Sequence, residues 1–88
     1  MESIWIFHGA GGRFTSGVFT DIISAEQWIF SHKLTGILTK YPVNIGVYDW
    51  AINNDLFELN HQDVNAEFIQ KFTSSSQVHY HYEEGIRE

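Results

Sequence analysis

Between Gln77 and Tyr82 the side chains alternate, with Val78, Tyr80 and Tyr82 in one set and Gln77, His79 and His81 in the other. Period-two alternation marks an extended strand whose side chains leave on opposite faces, so this segment predicts a strand with two imidazoles side by side on one surface. Ile4 to His8 is apolar in both sets, Trp5 and Phe7 on one side and Ile4 and Ile6 on the other, which predicts a strand in the middle of a sheet. Gly9-Ala10-Gly11-Gly12 supplies turn residues, and Arg13 to Thr20 returns as a second, antiparallel strand with Gly17 marking a bulge. Leu34 to Tyr41 is a third β-like run. Pro42, which has no N–H to give a ladder, ends it.

Between these runs the period becomes helical. Ser24 followed by Gln27 reads as a capping box, and Ile23 with Trp28 as a hydrophobic staple, so a helix is expected to start at Ser24. Ala25, Trp28, Ile29 and His32 then share one face, while Glu26, Gln27 and Lys33 turn toward water. Ile45 to Tyr48 reads as a short extended piece, with Asp49 capping a brief helix through about Asn53. Leu56 to Gln62 has no period, after which Asp63 or Asn65 caps a helix whose Phe68, Ile69 and Phe72 point inward. The order of elements predicts an α+β fold: one small, mostly antiparallel sheet of about four strands with two to three helices packed on one face. Neither a linker nor a repeat interrupts the 88 residues, and they are read as a single domain.

Composition sharpens this picture in two ways. With no cysteine among 88 residues, stability must come from apolar burial, and three Trp, four Tyr and seven Phe supply the area. Eleven acidic against five basic side chains give a net charge of −6, which argues against a nucleic-acid partner and for a basic protein one. Nowhere do about 18 apolar residues run together, and Met1 to Ile4 carries no basic leader, so no membrane role and a cytoplasmic location are expected.

Three sets of residues are candidates for chemistry. His79 and His81, with Glu83 on the same strand face and His8 or His61 from elsewhere, form a candidate polar or metal face, because imidazole and carboxylate together suit zinc-like ions. Against it, histidine on a strand face is commonly no more than a polar residue, and no spaced ligand set completes the site. Neither a metal nor a cofactor is therefore expected. Gly9, Gly11, Gly12 and Arg13 form a candidate anion loop, although the helix that a dinucleotide fingerprint needs after its glycines is missing. Asp49, Asp55, Glu58 and Asp63 are the candidate partner-binding acids, grouped around the irregular middle of the chain.

Several of these segments, Trp5-Ile6-Phe7-His8-Gly9, Ser16-Gly17-Val18-Phe19, Gly46-Val47-Tyr48-Asp49-Trp50-Ala51 and Gln77-Val78-His79-Tyr80-His81-Tyr82-Glu83, resemble a family of small bacterial proteins of unknown function. The likeness spans nearly the whole chain. It implies a bacterial, cytoplasmic, single-domain protein and brings no activity, cofactor or catalytic residue with it. Relatives carry a basic, proline-containing stretch after the position of Phe57, where this chain has Glu58-Leu59-Asn60-His61-Gln62-Asp63, so no family role for that loop carries over. The favoured expectation is a small acidic binding domain, in one version an immunity-type inhibitor of a basic partner; a homo-oligomer is compatible with it. The competing expectation is a small His-dependent enzyme or metal-binding protein using His8, His79 and His81.

Overall fold

Strand β1 (Ser3–Gly9) pairs on both sides, as its two apolar faces require. The computed structural model describes residues 2–57 and 64–88. β1 turns at Ala10 and Gly11, where the Gly12 N–H donates to the Gly9 carbonyl and Gly11 takes φ +78°, the left-handed conformation that a type II turn requires. The chain then runs irregularly to β2 (Gly17–Phe19), which is shorter than the expected Arg13–Thr20 strand. Gly17 lies opposite Phe7, and the Ser16 N–H also donates to the Phe7 carbonyl. Two successive residues thus address one, the arrangement of a bulge. A Cβ on Gly17 would meet the Phe19 ring at 2.8 Å and the Trp28 ring at 3.0 Å, so close aromatic packing accounts for the glycine.

Helix α1 (Ile22–His32) begins before Ser24. Its N-cap is Asp21, whose carboxylate accepts from the Ser24 N–H at 2.7 Å and from the Ser24 hydroxyl at 3.0 Å. The expected cap is therefore the third helical residue, and aspartate wins because it accepts from both groups. Ala25 and Ile29 are fully buried, while Trp28 is half-buried with its ring against Phe7 and Phe19. Lys33, in the left-handed conformation, ends the helix.

Strand β3 (Gly36–Pro42) pairs with β1 along its whole length and, on its other edge, with β4 (His79–Glu83). Gly36 is where backbones crowd, since a Cβ there would stand 2.4 Å from the His8 carbonyl oxygen. Beyond β4, Glu84 and Gly85 take φ +48° and +87°, both positive as a type I′ hairpin demands, and return the chain as β5 (Ile86–Arg87). The sheet is thus five-stranded and antiparallel throughout, in the order β2-β1-β3-β4-β5. β5 is the strand that hydrophobic alternation does not announce.

The register assigns each sheet face. Phe7, Leu38, Tyr80 and Tyr82 share one face and, with Ala25 and Ile29 of α1, make the core; Trp5, Phe19, Ile22, Trp28 and Leu34 pack around it. Helix α2 (Val47–Asn53) starts at Val47 behind an extended Gly46, so the second half of the expected extended piece at Ile45–Tyr48 is helical and Asp49 lies in the first turn, not at the cap. Helix α3 (Ala66–Lys71) is capped by Asn65, whose side chain accepts from the Phe68 N–H at 2.9 Å. No residue of α3 is buried. Its Phe68, together with Phe72, packs on Tyr48 and Phe57 in a second aromatic cluster with ring centroids 5.1–6.2 Å apart, and Ile69 stays exposed.

Candidate functional site: the open face of the sheet

Side chains opposite one another in an antiparallel sheet leave on the same side, so the register also defines the face turned away from α1. Val18, Ile6, Thr39 and His79 form one cross-strand row on it, and His8, Ile37 and His81 the next. Ile86 and Glu83 stand opposite each other at the β4–β5 edge. Three aliphatic side chains here are exposed, Val18 at 60%, Ile37 at 39% and Ile86 at 58%. Those values decide that the face meets water, although it carries more aliphatic surface than a solvated strand face needs.

The three predicted histidines are brought onto this one face. The rings of His79 and His81 lie 5.6 Å apart, edge to face, and His8 is separated from His81 by Ile37. Two of the imidazoles are oriented by backbone carbonyls: the His8 Nε2–H donates to Gly12 at 2.7 Å and the His79 Nδ1–H to Gln77 at 2.7 Å. In the neutral ring each bond leaves the other nitrogen with its lone pair, His8 at Nδ1 and His79 at Nε2. An open cleft of about 300 Å³ runs from the glycine turn past His8 and Ile37 to His81, Glu83 and Glu88. Among the described residues no group of three histidine or carboxylate side chains is placed to hold a metal ion; His61 lies outside them.

The glycine turn spends its amides internally. The Ala10 N–H donates to Thr35 and the Gly12 N–H to Gly9, while the Gly12 carbonyl receives His8. Among Gly9, Gly11, Gly12 and Arg13, the amides at Gly11 and Arg13 are the ones left near the turn's tip, beside an exposed Arg13 side chain. A cradle for an anion needs more converging donors than this.

Of the predicted partner-binding acids, Asp49 lies in the first turn of α2 and Asp55 just beyond its end, both exposed. Glu58 and Asp63 fall outside the described residues. A larger concavity of about 750 Å³ lies beside α3, lined by Phe57, Phe68, Phe72 and Ser74 to Ser76 among others; among the described residues, none of the predicted site residues lines it.

Basic side chains are largely occupied. Lys71 pairs with Glu67 at 2.7 Å, and Lys40 sits over the Trp5 ring at 6.0 Å. Arg87 stacks on Tyr80 at 3.9 Å while its guanidinium donates to Glu26, the Nε–H at 2.8 Å and a second N–H through Nη2. Glu26 also accepts from the Tyr82 hydroxyl at 2.6 Å. Burial alone would raise the Glu26 carboxyl, but the Tyr82 and Arg87 hydrogen bonds outweigh it and hold the group below the usual carboxylate range. The same arrangement, burial first and the Glu26 carboxylate second, pushes the Tyr82 hydroxyl up to about 12.

Sequence reasoning grouped His79, His81 and Glu83 correctly on one strand face but passed over Val18, Ile37 and Ile86. The available signal was parity: Ile37 neighbours the fully buried Leu38 on β3, so it must point the other way. The fold and this face define a small α+β domain whose five-stranded antiparallel sheet is packed by helix α1 on one side and open on the other. The chain belongs to the family described as Domain of unknown function (DUF7710), whose model matches residues 4–88. No curated protein and no solved structure matches it. No helix among the described residues is long and apolar enough to cross a membrane.

Proposed function

We propose that this domain is a non-catalytic binding module for a basic protein, and that in its most specific form it is an immunity-type inhibitor acting in a bacterial cytoplasm. The observation that carries this reading is where the charge resides. Net charge is −6, and Lys40, Lys71 and Arg87 are each engaged within the fold. The outward field is therefore dominated by carboxylates, including Asp49 and Asp55 at the two ends of α2, with Glu58 and Asp63 following in the sequence. Such a field speeds encounter with a basic surface and repels a phosphate backbone. His8, His79 and His81 stand on an open strand face and not in an enclosed pocket, which favours binding over a His-dependent enzyme or metal-binding protein.

The test is affinity capture from the native host, followed by titration of the captured protein at low and high salt. A basic partner is expected, with affinity falling about tenfold or more as salt rises and falling again in Asp49→Asn/Asp55→Asn. Capture of no protein, together with turnover of a small molecule that is lost in His79→Ala or His81→Ala, would replace this reading with the enzyme.

A further inference from the structure

We infer that the cleft beside Ile37, on the open face of the sheet, is the anchor point for the basic partner and receives one arginine side chain. The inference rests on the proposed function and adds to it the place of the contact and the residue type that enters. The cleft, of about 300 Å³, runs from the glycine turn past His8 and Ile37 to His81, Glu83 and Glu88. The Glu88 N–H donates to the His81 carbonyl at 2.8 Å, which carries the pairing of β4 and β5 one step past Arg87 and sets Glu88 beside His81.

With the imidazoles neutral, every charge in the lining is negative. Among the described residues it holds two carboxylates and no Lys or Arg. Glu83 and Glu88 have no ion-pair partner among those residues either, whereas Glu26 and Glu67 do. His8 adds an acceptor, since its Nε2–H is given to Gly12 and its Nδ1 keeps a lone pair. The paired positions of the whole open face carry neither Lys nor Arg.

Charge complementarity therefore calls for a cation, and the surroundings decide which one. A metal ion needs three or more converging ligands, and among the described residues no such group of histidines and carboxylates is present. Ile37, 39% exposed, gives the lining an apolar surface that a metal cannot use but the methylene stem of a long basic side chain can. Lysine ends in a strongly hydrated point charge that gains little in an open cleft. Guanidinium is more weakly hydrated and presents a fork of N–H donors that matches a carboxylate, so arginine fits better. The scale also suits one side chain. The whole open face, roughly 24 by 15 Å, is about half of the roughly 800 Å² that a standard interface takes from one partner, so it serves as an anchor within a wider contact.

Nitrogen-15 NMR of the full chain tests this with N-acetyl-arginine amide as the probe, beside the lysine and citrulline amides; citrulline keeps the shape of arginine without its charge. Saturable shifts at the Ile37, His81 and Glu83 amides are expected with the arginine amide, in the millimolar range usual for so small a ligand. The lysine amide should bind about threefold and the citrulline amide about tenfold more weakly. Glu83→Gln/Glu88→Gln should weaken the arginine amide about fivefold or more with circular dichroism unchanged, and Glu88→Gln alone serves if the double variant unfolds. The same variant should weaken the captured basic protein about tenfold. Equal binding of the lysine or citrulline amide, shifts that do not saturate or that centre on Asp49 and Asp55, or a captured protein that binds Glu83→Gln/Glu88→Gln unchanged would each overturn the anchor and leave the basic-partner reading in place. Capture of no basic protein would remove that reading and the anchor with it.

Discussion

Glu26 ties α1 to the last two strands through two different residues, and its position explains an error of helical reasoning. By spacing alone it belongs on the wet side of the helix. In the fold it accepts from Tyr82 and Arg87, 56 and 61 residues further along, because β4 and the short β5 come up beside α1. No periodicity within a helix can reveal a partner that distant. The consequence is measurable at alkaline pH. Tyr82 ionises near 10.0 when unfolded but only at about 12 in the fold, so its contribution is intact below pH 10 and is lost as pH rises toward 12. Tyr82→Phe should cost about 1 kcal/mol at neutral pH through the lost hydrogen bond. It should also make the loss of stability between pH 10 and 12 shallower, as followed by urea melts across that range. On the acid side the sign reverses: Glu26, held low, stabilises above the usual carboxylate range and loses that contribution as pH falls through its folded value.

At the scale of elements, the long, strongly patterned segments were legible and the short or locally capped ones were not. β4 follows from alternation, β1 from a run apolar on both faces, β3 from a β-like run ended by Pro42, and α1 from Ala25, Trp28 and Ile29. The start of α1 did not follow, because Ser24-x-x-Gln27 is a valid cap pattern lying just inside a stronger one. Asp21→Ala is therefore expected to lower the thermal midpoint more than Ser24→Ala does, since Asp21 satisfies the Ser24 N–H and Ser24 caps nothing in return. Calorimetry of the two variants decides the order. Ser24 hydrogen bonds also hold the Asp21 carboxyl below its ordinary value, so the difference should shrink as pH falls through that lowered value. β5 is missed for a different reason. Two residues cannot show a period, and the only sign is the Glu84-Gly85 pair, which is a weaker hairpin mark than Asn-Gly. The histidine face was legible as a set of residues, but its aliphatic half required knowing which strands pair.

The whole molecule is longer than its chain length suggests, with a radius of gyration of 14.5 Å and extents of 46 × 28 × 20 Å. An ordinary domain of this size would have a radius of about 12 Å. The excess reflects two separate packing centres. One is the core between α1 and the sheet, and the other is the aromatic cluster of Tyr48, Phe57, Phe68 and Phe72. Since α3 buries no residue of its own, that second centre should open before the first. Hydrogen exchange is expected to show α3 amides far less protected than those of β1 and β3. Phe72→Ala should abolish the residual protection of α3 while leaving the sheet nearly unchanged; a uniform loss across both would mean that the two centres unfold as one.

Leu38 pairs with Phe7 on one side of β3 and with Tyr80 on the other, and those neighbours are made at very different times. As the chain leaves the ribosome, β1, β2, α1 and β3 are all present well before β4. A partial sheet can assemble from them, with the outer edge of seven-residue β3 bare while the stretch from Val43 to Val78 is still being synthesised. Unpaired strand edges are where nascent chains meet the wrong neighbour. The edge of β3, enclosed in the finished fold, is thus the surface a chaperone would need to guard until His79 to Glu83 arrive.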